Sequence, residues 1–146
     1  MSMKRKAVLL IEDNQDHADL IIEEFNRDTE KEIILLKDGQ EAIDYIQNAE
    51  LDSNIRIQPQ IDLILLDLNL PNVHGITILR FLKKYSKYHS VPVIILSVIS
   101  DSTVISEAYE NGANGFVTKS ISYKNFVEDI RLLEKYWFNT NIIFSQ

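Results

Sequence analysis

The chain has no cysteine, which excludes a disulfide framework and a thiolate metal site. Only three prolines and four glycines occur in 146 residues, and no low-complexity segment, internal repeat or second domain breaks the sequence. No apolar run approaches the roughly 20 residues needed to cross a bilayer. The basic start, Met1-Ser2-Met3-Lys4-Arg5-Lys6, precedes a short apolar stretch that ends in two acids, so it does not read as a signal peptide. A cytoplasmic location is expected, with no membrane partner. Positive charge is also scarce. A net charge of -7 argues against bulk binding to nucleic acid or anionic lipid, and the basic start reads as a solvated tail. The histidines form no ligand cluster: His17 and His89 are expected at the surface, and His74, beside Gly75, has no assigned role.

What is present is a regular alternation of short apolar strands with amphipathic helices, five times over. Strands are expected at Ala7–Ile11, Ile33–Leu36, Ile61–Leu66, Val93–Leu96 and Gly115–Thr118. The near-continuous apolar character of Leu63–Leu66 and Val93–Leu96 indicates burial on both faces, as in a parallel sheet. Helices are expected over about Gln15–Arg27, from Asp38-Gly39 onward, after Pro71 and Gly75, over about Ser102–Asn111, and over about Ser122–Trp137. Asp38 and Glu41 resemble a capping box. The fourth helix looks weak, because Ser, Thr and β-branched residues fill its first turn, and Gly112 closes it. The stripe Phe126, Ile130, Leu133 and Trp137 reads as core. A polar loop of about residues 50–60 is long for such a fold. This order predicts an α/β class, (βα)5, with a doubly wound parallel five-stranded sheet in the flavodoxin-like order 2-1-3-4-5. One domain is expected over residues 1–146, with its core at about 6–137 and an apolar tail at 138–146.

In such a sheet, ligands bind at the carboxyl ends of the strands, at the point where the strand order reverses. The residues found there are Glu12, Asp13, Asp67, Ser97 and Lys119. Taken singly, each has a plain structural reading: acids at a helix start, a turn serine, a surface lysine. Together they suit one chemistry, a divalent cation guiding a phosphoryl group onto an aspartate. Three close carboxylates repel one another and raise their own pKa values, a conflict that a bound dication removes. Asp67 follows an apolar strand and can serve as the nucleophile, with the Asn69 main-chain oxygen as a further ligand. Lys119 suits a phosphate oxygen, and Ser97 can donate its hydroxyl to one.

The residues Glu12-Asp13, Leu63–Pro71, Gly75, Ser97 and Lys119, with their intervals, resemble the receiver domain of two-component response regulators. The long loop before the third strand, the run Asp67-Leu68-Asn69-Leu70-Pro71 and the apolar tail are most similar to small single-domain regulators paired with phytochrome-like histidine kinases. The resemblance implies that Asp67 accepts a phosphoryl group from a kinase phosphohistidine. It implies that Asp13 and Asp67 ligate Mg2+ (or Mn2+) directly, Glu12 through water and Asn69 through its main chain, with Ser97 and Lys119 gripping the phosphoryl group. Phe116 stands where the family places its switching aromatic. Phosphate would draw Ser97 in, turn Phe116 inward and reshape the face made by the fourth helix, fifth strand and fifth helix. The partners implied are a sensor histidine kinase or a histidine phosphotransfer protein. The protein would be no enzyme beyond its own phosphorylation and dephosphorylation.

The sequence departs from the family at three positions. Ser120 replaces the usual proline after the lysine, so a trans Lys119–Ser120 bond is expected, with a looser Lys119. Val98 replaces a small residue after Ser97 and, with Ile99 beside it, points to restricted access and a long-lived phosphoryl state. His74 replaces an acid and is expected to alter only local capping. The chain ends soon after the fifth helix, so output is expected through protein contacts, phosphate relay or dimerisation, the last by way of that same face and the tail with Trp137, Ile142, Ile143 and Phe144. The alternative fate of the tail is to fold back on its own domain. A haloacid-dehalogenase-type phosphatase is disfavoured because Asn69 stands where the second acid is required. Flavin binding is disfavoured by the acidic first loop. A phosphorylation-independent receiver-like interaction module is the remaining alternative.

Overall fold

Three strands carry no exposed position, and that forces the architecture. The computed structural model describes residues 5–51 and 60–141. Its strands are β1 (Ala7–Ile11), β2 (Glu32–Leu36), β3 (Leu63–Asp67), β4 (Val93–Ser97) and β5 (Gly115–Thr118). Its α-helices are α1 (Gln15–Phe25), α2 (Gly39–Leu51), α3 (Gly75–Tyr85), α4 (Ser102–Glu110) and α5 (Tyr123–Lys135). β1, β3 and β4 are buried throughout and need cover on both faces, which only flanking helices supply. All pairings are parallel, in the order β2-β1-β3-β4-β5 that the alternation predicts.

The period of two along each strand sorts the core into two layers. Ala7, Leu9, Ile11, Ile64, Leu66, Val93 and Ile95 face α2, α3 and α4, where they meet Ile46, Ile78, Leu79 and Leu82. Val8, Leu10, Leu63, Leu65, Ile94 and Leu96 face α1 and α5, where they meet Ile21, Phe25, Phe126 and Ile130. Each such fully buried aliphatic side chain contributes about 1.5–3 kcal/mol of transfer free energy. This double packing holds the carboxyl ends of the strands at fixed spacing.

The helix starts follow their caps. Asn14, Asp101 and Ser122 cap α1, α4 and α5, each accepting from a backbone N–H inside its helix. Asp38 accepts from Glu41 N–H at 2.7 Å, while Glu41 reaches back one residue further than a standard box, to Lys37 N–H at 3.1 Å. The weak-looking α4 buries only Ala108, and Gly112 after it takes a φ of 101°. That angle strains any residue with a Cβ, which is why glycine ends the helix there.

Several ends shift by one or two residues, with β3 starting at Leu63 rather than Ile61 and including Asp67, and two helix ends differ in a way that matters. α1 stops at Phe25, with Asn26 as its cap, rather than running on to Arg27. The fifth helix does not end at Trp137: beyond Lys135 it widens into a π-helical segment, Tyr136–Thr140. Trp137 and Phe138 thereby both pack against the α1–α5 layer, and Phe138 meets Phe25 edge-on at 6.2 Å. Buried Lys31 anchors this end. Its ammonium donates to the Phe25 and Thr29 carbonyls at 2.7 and 2.9 Å, pairs with Glu134 at 3.6 Å and lies 5.1 Å from the Phe138 ring centroid. The first part of the tail therefore folds back on its own domain. Ile142, Ile143 and Phe144, and most of the loop expected at 50–60, lie outside the described residues.

Candidate functional site

Strand register delivers the site. Ile11 pairs with Leu66 across β1 and β3, so Glu12 emerges beside Asp67 where the strand order reverses. Ser97 pairs with Thr118 across β4 and β5, and Lys119 N–H donates to the Ser97 carbonyl at 2.8 Å. Four residues separated widely in sequence are thus fixed by backbone pairing alone. The loop after β3 is folded tightly under the site: a Cβ on Gly75 would lie 2.5 Å from Leu68 Cα, so this approach admits only glycine.

The side chains converge. Glu12, Asp13 and Asp67 each bring a carboxylate oxygen within 4.8 Å of the others. Glu12 and Asp67 are buried, as is Lys119, while Asp13 faces solvent. Lys119 Nζ donates to Asp67 Oδ2 at 3.1 Å and lies 2.6 Å from Glu12 Oε1. The second approach is close but poorly angled, and Glu12 Oε1 is left with no hydrogen-bond donor. Asp67 Oδ1 accepts from Asn69 N–H at 2.9 Å, which brings the Asn69 main chain to the site. Ser97 is fully buried and its Oγ accepts from Ile99 N–H at 3.1 Å. That bond uses an oxygen lone pair and leaves the hydroxyl proton free to be donated.

The two buried acids divide their ionisation. Burial, then the hydrogen bond and charge of Asp67, push the Glu12 carboxyl up to about 8. Burial also pushes Asp67 upward, but the bonds from Glu12 and Asn69 N–H, together with Lys119, outweigh it and hold Asp67 below its ordinary value. Protonation is thus favoured on Glu12 and ionisation on Asp67, the direction that suits a nucleophile. A buried carboxylate oxygen without a donor, two neighbouring acids and a nearby main chain form an all-oxygen set. That set fits a hard divalent cation such as Mg2+ or Mn2+ and nothing softer.

The remaining expectations can be placed. No peptide bond among the described residues is cis, so Lys119–Ser120 is trans. Lys119 is nonetheless held by its carboxylate partners rather than loosened. His74 caps α3, its Nδ1 accepting from Ile76 N–H at 3.2 Å, which is the local role expected of it. His89 is exposed, as expected. Phe116 lies across from Ile95 and packs, half-buried, on the α2–α4 side of the sheet. Val98 and Ile99 are 60% and 48% exposed, directly after Ser97.

His17 is a correction. It is not a plain surface residue but half-buried, with its ring edge-on to Phe126 at 5.3 Å and its Nδ1 3.1 Å from Lys119 Nζ. Burial and the Lys119 charge lower its pKa. The signal available in the sequence was its place in the first turn of the helix that follows Glu12-Asp13. Its partner, 102 positions away, could not be read from that.

Comparison with known proteins agrees with this geometry. The family model described as the response regulator receiver domain matches residues 8–131. A probable methanogenesis regulatory protein, FilR2 of Methanothrix harundinacea, is 32% identical over 92% of this chain and 84% of its own length. The structure of the phosphorylated cyanobacterial phytochrome response regulator RcpA superimposes with a TM-score of 0.86 at 30% identity, covering 97% of this chain and 99% of RcpA. The response regulator Rcp1 of Synechocystis is 31% identical over 92% of this chain and 90% of its own length. The Mn2+-bound structure of Rcp1 superimposes with a TM-score of 0.84 at 27% identity, covering 96% of this chain and 99% of that one.

Proposed function

The chain belongs to the response regulator receiver family, and from that premise we propose that it is a phosphorylation-controlled signalling switch with Asp67 as phosphoacceptor. One observation carries the reading: the buried Asp67 carboxyl group lies 3.1 Å from the Lys119 ammonium and within 4.8 Å of the Glu12 and Asp13 oxygens. An Asp67 oxygen forms the new O–P bond while the P–N bond of a donor phosphohistidine breaks, and the electron pair of that bond stays on the imidazole nitrogen. Lys119 faces the incoming phosphoryl oxygens, and the free Ser97 proton is donated to one of them. Asn69 N–H and Lys119 fix both Asp67 oxygens beforehand, so little reorganisation accompanies the reaction. Glu12, Asp13, Asp67 and the Asn69 main-chain oxygen would hold Mg2+ or Mn2+, which neutralises charge on the transferred group. The Mn2+-bound state of Rcp1 and the phosphorylated state of RcpA support this reading.

The chain catalyses nothing beyond its own phosphorylation and dephosphorylation in this account. Its donor is a histidine kinase or phosphotransfer protein, and the likeness to RcpA and Rcp1 supports a phytochrome-like kinase. Drawing Ser97 toward the phosphoryl group would shift Phe116 and the α4–β5–α5 face. That face exposes Tyr109, Ile121 and Tyr123, which suit a homodimer contact. Beryllium fluoride, a phosphoryl mimic, tests the chemistry. A bound 19F resonance that requires both Mg2+ and Asp67 is expected. A resonance that survives Asp67→Asn, or none at all, would overturn the reading.

A further inference from the structure

The Lys119 ammonium has two hydrogen-bond partners, Asp67 Oδ2 and His17 Nδ1, each at 3.1 Å, and lies 2.6 Å from Glu12 Oε1 without donating to it. An ammonium has no lone pair, so the His17 contact fixes the imidazole: Nδ1 is the acceptor and the ring proton sits on Nε2. The ring is held for this task, with Phe126 edge-on to it at 5.3 Å and its backbone N–H bonded to the Asn14 cap. His17 thus sits on α1 and reaches the lysine that follows β5.

The three neighbours are not equivalent once phosphoryl transfer begins. Glu12 and Asp67 belong to the acidic cluster. When Asp67 forms its bond to phosphorus, its carboxylate loses charge and its hold on the ammonium weakens. His17 alone among the three lies outside the cluster and keeps its lone pair throughout. We propose that His17 is a positioning residue for phosphoryl transfer: it keeps the Lys119 ammonium aimed at the phosphoryl oxygens while Asp67 gives up its hold on it. The chain uses a neutral acceptor here because another carboxylate would neutralise the charge that Lys119 must offer. The same tether explains how Lys119 stays fixed although the bond that follows it is a trans bond to serine. This proposal rests on the receiver reading above.

The test separates the acceptor from the ring. His17→Leu keeps an apolar side chain against Phe126 and removes the acceptor. His17→Asn removes the ring and sets an amide oxygen close to where Nδ1 stands. Two readouts are taken, with a thermal melt of each variant to verify folding. The first is the initial rate of phosphorylation by a small phosphoramidate with Mg2+, followed by intact mass. His17→Leu is expected to slow it about tenfold, the factor of one modest charged hydrogen bond, while His17→Asn restores most of the rate. The second is 15N NMR of the lysine ammonium groups in the metal-free, unphosphorylated protein, with Lys119 assigned through Lys119→Met. A slowly exchanging Lys119 ammonium is expected in the wild type and in His17→Asn, and its loss in His17→Leu. Equal behaviour of both variants, whether wild-type-like or equally impaired, would overturn the proposal, since the ring or nothing would then matter. Failure of the wild type to accept phosphate would instead refute the receiver chemistry. The NMR readout would then decide on its own whether His17 fixes Lys119.

Discussion

Loading the metal-free protein with Mg2+ at neutral pH should expel a proton from Glu12. With the Glu12 carboxyl raised to about 8, it is mostly protonated at neutral pH and mostly ionised well above pH 8. A cation bound among Glu12, Asp13 and Asp67 favours the ionised form. Uptake should therefore release most of one proton at neutral pH and little of one well above pH 8. Apparent affinity should rise close to tenfold per pH unit below 8 and level off above it. Isothermal titration in two buffers of different ionisation enthalpy reads the proton count directly. Glu12→Gln should abolish the release.

Stability in the absence of metal carries the same signature. Because the folded Glu12 pKa lies above its ordinary 4.5, its contribution is fully present below 4.5 and is lost as pH rises through about 8. Asp67 is depressed, so its contribution is present above its ordinary 3.8 and is lost only in acid, outside the Glu12 window. Melting temperature should therefore fall between about pH 5 and 8 in the wild type and less so in Glu12→Gln. Proton release near zero at pH 7 would show that Glu12 is already ionised and would refute this account of the resting site.

Three further outcomes follow from the same contacts. Lys119→Met removes the ammonium facing Asp67 and should lower the phosphorylation rate by about 10²–10³, read by intact mass; a loss under threefold would contradict its role. Val98→Ala should shorten the lifetime of the phosphoryl group several-fold, since the branched, exposed Val98 directly follows Ser97, and a wild-type half-life of seconds would refute that shielding. Lys31→Ala leaves Glu134 buried without its cation and should cost about 3–5 kcal/mol in urea unfolding while leaving phosphorylation unchanged.

The strands and the site acids were legible because their signals are local. Leu63–Leu66 and Val93–Leu96 are apolar at every position, and each of these strands ends in a candidate site residue, so the parallel topology brings them together. The capping role of His74 was legible for the same reason, since its partner is two residues away. What escaped depends on tertiary contact. The π-helical turn is invisible in a sequence whose Trp137 still fits helical spacing. It exists because Phe138 packs under Phe25 and Lys31. His17 looked like a surface residue because nothing near it in sequence is its partner. The ionisation split between Glu12 and Asp67 arises from burial and from Lys119, neither of which a motif displays.

The most direct test of the central claim is the intact mass of the protein after incubation with Mg2+ and a small phosphoramidate, beside Asp67→Asn and a metal-free control. One added phosphoryl group is expected in the wild type and none in either control. Addition that persists in Asp67→Asn, or no addition to a folded, Mg2+-loaded wild type that also fails to bind beryllium fluoride, would contradict that claim.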